Sequence, residues 1–276
     1  MCELFAMSSH APATVSYSLN EFARNGSHLR SNHSGWGIAY FEDRDVILIR
    51  EAEPAADSPW VRFIREQALA SNCVIAHVRH ATVGKPVLSN THPFRRALGG
   101  RVHAFAHNGT LADLDRTYDG SWLSFRPVGE TDSELAFCLL LHRLREVWEG
   151  RYEPPTLQER FDIFADFAAE MAGFGPANFL YSDGEVLFVH AHKRAYEENG
   201  GFSAPRPPGL CQRTCNLAGD GESWHCPGME IGLTGRRTTL FASVPLEDEG
   251  WEPLPEGTLV AVRGGEELMR RTADKS

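Results

Sequence analysis

Cysteine directly follows the initiator methionine in the opening residues MCEL. Methionine ahead of a small side chain is generally removed, and its loss would leave Cys2 with a thiol and a free α-amine. One residue would then hold a nucleophile and its own base. Taken alone, a cysteine at this position is better read as an accident of sequence. Four other segments gather polar residues where apolar runs end: AHVRHATVG (76–84) with Arg79, His80 and Thr82; SNTHPF (89–94) with His92; AHNGTL (106–111) with Asn108 and Gly109; and GETDSELAF (129–137) with Asp132. Each has a plain structural explanation. Asn-Gly after a strand is a turn, because both residues tolerate positive φ. Asp132 in a first helical turn complements the helix dipole. Arg79 at a strand end is an ordinary solvated or paired charge, and His92 before proline an ordinary loop histidine.

The elements that must position these residues follow from periodicity. Apolar, β-rich runs at 3–8, 37–41, 46–50, 73–79, 103–109, 238–244 and 257–262 predict strands. Two more, at 178–182 and 185–191, flank Asp183-Gly184, a hairpin signal. Ser58-Pro59 predicts an N-cap with proline at the first helical position. Thr131 and Glu134 predict a capping box ahead of a helix with one buried leucine stripe. A third helical pattern covers 156–174. Strands, then helices, then strands is the order of an α+β fold with helices packed on sheets. Residues 197–228, with four prolines and three cysteines, predict a long irregular loop.

Bulk properties narrow the function classes. A chain of 276 residues can bury a substantial core without staples. Its formal net charge of −10 argues against binding nucleic acid through the phosphate backbone. No apolar run is long enough for a membrane span, and the N-terminus lacks a signal-peptide pattern. A cytoplasmic protein with six reduced thiols is the expectation. Cys211, Cys215, His225 and Cys226 are zinc-compatible residue types, but adjacent His225 and Cys226 suit a tetrahedral site poorly, so no metal is expected. Cys73 in a strand and Cys138 on an apolar helix face are expected to be inert thiols.

The order Cys2, HVRHATVG, NTHPF, HNG, GETDSE resembles the class II glutamine amidotransferases, members of the N-terminal-nucleophile hydrolase superfamily. SGWGIAYF (34–41) fits between the first two, and the late segments NFLYSDGEVLFVHAH and LFASVPLEDEGWEPLPEGTLVAV fit the stand-alone members. The resemblance implies a four-layer α/β/β/α sandwich formed by one domain over 2–276, with Cys2 at the end of the first strand and no cofactor. It implies that Cys2 attacks the γ-carbonyl of glutamine, with its α-amine as base at a reference pKa of about 7.7–8.0. Asn108 and the Gly109 N–H would form the oxyanion hole. Arg79 would take the substrate α-carboxylate and Asp132 its α-ammonium, while Thr82 and His92 would shape the pocket. His80 departs from the aromatic residue often found there, and TVG lacks a histidine of larger members, which bears on lid contacts and on the preference for free glutamine. The expected partners are glutamine or another small γ-glutamyl compound and a separate ammonia-accepting synthase subunit. Hydrolysis of a γ-glutamyl peptide or amine is a second expectation, and a non-catalytic glutamine-binding module a third.

Overall fold

The computed structural model describes residues 2–15, 34–55, 58–80, 84–151, 153–198, 200–216, 224–226, 229–231, 237–246 and 249–272. The apolar runs build two antiparallel sheets whose interior strands are buried on both faces. The first has seven strands: β1 (Glu3–Thr14), β2 (Trp36–Glu42), β3 (Asp45–Glu51), β4 (Ala70–Val78), β11 (Cys211–Asn216), β14 (Arg237–Ala242) and β15 (Glu252–Pro253), in the order β15-β11-β14-β1-β4-β2-β3. The second has six: β5 (Phe94–Leu98), β6 (Arg101–Gly109), β7 (Ala177–Ser182), β8 (Leu187–Ala191), β16 (Thr258–Arg263) and β17 (Glu266–Arg271), in the order β17-β16-β8-β7-β6-β5. Two small hairpins complete the strands, β9 (Glu197–Glu198) with β10 (Gly201–Phe202), and β12 (Trp224–Cys226) with β13 (Met229–Ile231).

Alternation along β1 shows how the layers stack. Leu4 and Ala6 point between the sheets, into a core with Ile75, Ala104, Leu180 and Val260. Phe5 and Met7 point outward, where Val61 and Ile64 of α1 (Pro59–Gln67) cover them. On the far side Phe105 and Phe179 pack under α3 (Asp132–Trp148) and α4 (Leu157–Ala172). A short α2 (Leu114–Thr117) adds Leu114 to that layer. The result is the α/β/β/α sandwich.

Capping agrees with the sequence in part. Ser58 Oγ accepts from the N–H groups of Trp60 and Val61 at 3.1 and 3.4 Å, ahead of Pro59. Thr131 Oγ1 accepts from Glu134 N at 3.2 Å, but the Glu134 carboxylate does not reach back to the cap. It accepts instead from Val128 N, Gly129 N and Arg96, fastening the loop before α3 to β5. The reciprocal box forms at Thr156 and Glu159. Leu135 to Leu141 are buried without a break, so α3 is enclosed rather than striped; α4 and the 111–123 segment cover its other sides.

The expectation of an irregular loop over 197–228 is corrected: Cys211–Asn216 is β11, an interior strand paired with β14 and β15. β5 and the edge strand β17 also escape the sequence pattern. EELMRR leaves its side chains half-buried or exposed, so no alternation marks it.

The β7–β8 turn is tied to α4 by a buried pair, Arg160 Nη1 to Asp183 Oδ2 at 2.7 Å. Asp183 Oδ1 meanwhile accepts from the N–H groups of Glu185 and Val186. Asp183→Ala strands two amides and leaves the Arg160 guanidinium to pair with Glu185 Oε2, at 2.9 Å, and should cost about 2–4 kcal/mol of stability in urea unfolding at pH 7. A loss under 1 kcal/mol would mean the pair is not closed.

Candidate functional site

Cys2 sits one residue before β1, which is gripped on both sides. β4 pairs along Glu3–Ser8, and Ser243 beyond β14 exchanges two bonds with Leu4, N–H to Oγ and N–H to carbonyl, both 3.0 Å. With Glu3 opposite Val78, the thiol lies beside the Arg79–His80 backbone. Cys2 Sγ is 3.2 Å from His80 N, which donates to it, and 3.3 Å from the His80 carbonyl. Burial pushes the thiol pKa up; the His80 N–H and the Arg79 charge pull it down, and Asp132 adds to the rise. The net rise leaves Sγ protonated at neutral pH, so attack requires a base.

Asn108 reaches the same point from the opposite sheet. Its Nδ2 donates to the Cys2 carbonyl at 2.7 Å, leaving a second amide hydrogen for another acceptor. Asn108 is itself held: Asn178 Nδ2 donates to the Asn108 carbonyl at 3.0 Å and to the Lys193 carbonyl at 2.8 Å, and Asn178 Oδ1 accepts from His192 N at 2.8 Å. Gly109 must be glycine because a Cβ there would stand 1.7 Å from the Pro176 carbonyl oxygen. His107, just before Asn108 on β6, spans from Pro176 to α3. Its Nε2 donates to the Pro176 carbonyl at 3.0 Å, which leaves Nδ1 to accept from Ser133 Oγ at 2.9 Å.

Cys2, Asn108 and Gly109 line one cavity of about 340 Å³. Asp132 lines a second, of about 650 Å³, and Thr110 borders both. Asp132 Oδ2 accepts from Leu111 N at 2.6 Å, which fixes the carboxylate just beyond the end of β6. The structure thus places the nucleophile candidate and the oxyanion candidates on one cavity and the ammonium candidate on a second that Thr110 also borders.

The other three candidates stand differently. Arg79 is buried and lines neither cavity; its Nη1 donates to the Lys85 and Ser34 carbonyls and its Nη2 to Gly84. Thr82 lies outside the described residues. His92 is buried among aromatic rings, 4.2 Å from His77 and 4.4 Å from Phe94 between centroids. It also lines neither cavity. Asn178, His107 and Ser133 are the supporting residues that the sequence did not single out. A signal existed for the first: an asparagine opening the otherwise apolar run NFLY.

This fold, with a cysteine heading its central strand, is that of the N-terminal-nucleophile amidotransferase domains. The chain belongs to the class II glutamine amidotransferases, whose family model matches residues 1–276. It is 36% identical over 190 residues to an Escherichia coli protein named "Putative glutamine amidotransferase YafJ", spanning 69% of this chain and 72% of that one. A crystal structure titled as a glutamine amidotransferase predicted from Pseudomonas aeruginosa is 31% identical with a TM-score of 0.69, covering 97% of this chain and all of that one. The glutamine phosphoribosylpyrophosphate amidotransferase of B. subtilis shares the fold at 15% identity and a TM-score of 0.61, with this chain matching half of it.

The histidines beneath the site make stability acid-sensitive. None of the ring nitrogens of His77 and His92 has a hydrogen-bond partner among the described residues. Burial holds His77 down to about 3 and His92 well below its ordinary value, so both are neutral at pH 7. An unfolded chain takes up these protons near pH 6.5, whereas folded His77 does so only near 3. Stability is therefore complete above about 6.5 and falls as pH drops, by about 1.4 kcal/mol per pH unit for each histidine. His77→Phe should flatten the stability slope between pH 6 and 4 by about that amount in urea titrations; an unchanged slope would show the ring is already protonated when folded.

Proposed function

We propose that the whole chain is one domain that hydrolyses the γ-amide of glutamine through a γ-glutamyl thioester on Cys2, releasing ammonia and then glutamate. The observation that carries this is the convergence of Cys2 Sγ, the Asn108 amide and Gly109 on one cavity, with Asp132 on the adjoining wall. The chain begins its work once Met1, which lies outside the described residues, is removed. The exposed α-amine of Cys2 takes the thiol proton, which burial otherwise retains on sulfur. A bond forms from Sγ to the carbonyl carbon of the γ-amide, and its oxygen becomes an oxyanion. The second hydrogen of Asn108 Nδ2 and the Gly109 N–H receive it. The amine returns the proton to the leaving nitrogen as the C–N bond breaks, and water then cleaves the thioester.

Free glutamine is selected by its charges. Asp132, already fixed by Leu111 N, takes the α-ammonium. Arg79 takes the α-carboxylate by exchanging its contacts with the Gly84 and Lys85 carbonyls, a swap of neutral acceptors for a charged one. Thr82 and His92 are assigned no proton transfer. Ammonia passes to a separate acceptor enzyme or to solvent. No described helix is long and apolar enough to cross a membrane. A second reading, hydrolysis of larger γ-glutamyl amides, is favoured by the volume of the cavity over Cys2.

Asn108→Ala should lower kcat for glutamine by about 10²–10³ while KM changes little, because the oxyanion exists only beyond the ground state. In the unsubstituted enzyme kcat/KM should climb with pH to a plateau, with an apparent pKa near 7.7–8.0, as the α-amine loses its proton. Ammonia release with an N108A effect under about threefold, or with no acidic limb, contradicts the mechanism. Glutamine binding without turnover would instead mark a binding module.

A further inference from the structure

The cavity over Cys2 is larger and more apolar than glutamine hydrolysis demands. Beyond the nucleophile and oxyanion residues its walls are His80 and Thr110 on the near side and Pro176, Ala195, Phe202, Pro205 and Arg194. An ammonia leaving group needs no such compartment. The α-end of the substrate lies on the other side, past Thr110 at Asp132, so the apolar part faces the group that departs.

The wall is a built structure. Arg194 and Arg206 exchange two backbone bonds, at 3.1 and 2.9 Å, closing a hairpin that contains β9 and β10. Tyr196 is sandwiched between the two guanidinium groups, at 4.4 and 4.2 Å from ring centroid to carbon, and its hydroxyl donates to the Pro208 carbonyl at 2.5 Å. Arg206 is further paired with Glu198. The hairpin presents Phe202, half exposed, toward the His80 ring at 6.1 Å.

Arg194 is the informative member. Arg206 has its carboxylate; Arg194 has no ion pair or side-chain hydrogen bond among the described residues, and its Nε is buried without a partner. A buried guanidinium nitrogen without an acceptor is costly, and a planar fork in an apolar cavity matches a carboxylate. We propose that this compartment is a leaving-group subsite for an apolar amino acid, so that the preferred substrate is a γ-glutamyl dipeptide. The side chain of its second residue rests on Phe202, Pro205 and Ala195, and its terminal carboxylate pairs with Arg194. The subsite rests on the thioester chemistry proposed for Cys2. The bond cleaved is the γ-glutamyl isopeptide bond; the α-amine of Cys2 delivers the proton to the departing α-nitrogen, and water completes hydrolysis.

The test compares kcat/KM for glutamine, γ-glutamyl-leucine and γ-glutamyl-leucinamide, in which the carboxylate is masked. γ-Glutamyl-leucine should exceed glutamine by about tenfold or more, and should exceed its amide by a similar factor. In Arg194→Gln the acid-over-amide ratio should collapse to about one, with partial return in Arg194→Lys. A hairpin that merely loosened would lower both substrates together and keep the ratio. Phe202→Ser, at a half-exposed position that the fold tolerates, should cut the leucine-over-glutamine ratio by about tenfold. Glutamine turnover with no dipeptide preference, or a ratio unchanged in R194Q, overturns the subsite and leaves the glutamine reading standing. No turnover of any of the three overturns both.

Discussion

One hydrogen bond crosses the sandwich where chemistry is proposed: Asn108 Nδ2 to the Cys2 carbonyl, 2.7 Å. Its two ends belong to different sheets, so its length depends on how the sheets stack and on the register within each. β1 has its register set by β4 on one side and β14 on the other. β6 has its register set by β5 and β7. A slip of one residue in β1 would turn its outward-facing residues into the core between the sheets and carry Leu4 and Ala6 out of it. The catalytic geometry and the packing of the core are therefore the same constraint.

Around that bond the structure supplies rigidity in layers. Asn178 holds the Asn108 carbonyl and the end of β8 at once, and Gly209 makes room for it, since a Cβ there would stand 1.7 Å from Asn178 Oδ1. His107 ties β6 to the first turn of α3, which carries Asp132. Charge is handled by exclusion. His77, His92 and His107 are kept neutral by burial, so the charges that lower the Cys2 thiol are the N-terminal ammonium and the Arg79 guanidinium. Those charges and the His80 N–H do not overcome burial, and the thiol remains protonated at rest. A protonated thiol is guarded against oxidation, which starts from the thiolate.

Much of this was legible because the motifs are local. HNG ends a strand whose alternation predicts which side chains face the core, and GETDSE opens a helix; both lie where the sequence places them. The motifs also brought Asp132 to a wall shared with the oxyanion candidates through Thr110. What the sequence hid is long-range or weakly patterned. β11 is CQRTCN, with Cys211 and Cys215 buried and Thr214 exposed, and prolines just upstream masked a strand completed by pairing with β14 and β15. Glu134 looked like a capping residue, but Arg96 from β5 competes for its carboxylate, and no local pattern reports that. Arg79 and His92 carry motif positions yet sit behind the cavity walls, because residue type specifies chemistry and not depth.

The most direct measurement is the intact mass of the purified protein before and after exposure to a diazoketone analogue of glutamine, followed by sequencing of the labelled peptide. The starting mass should show a chain beginning at Cys2. One adduct should form, on Cys2 rather than on Cys73 or Cys138, whose thiols burial pushes up to about 12, and excess glutamine should suppress it. A chain that starts at Cys2 and takes up no label, or takes it up elsewhere, would contradict the assignment of Cys2 as the nucleophile.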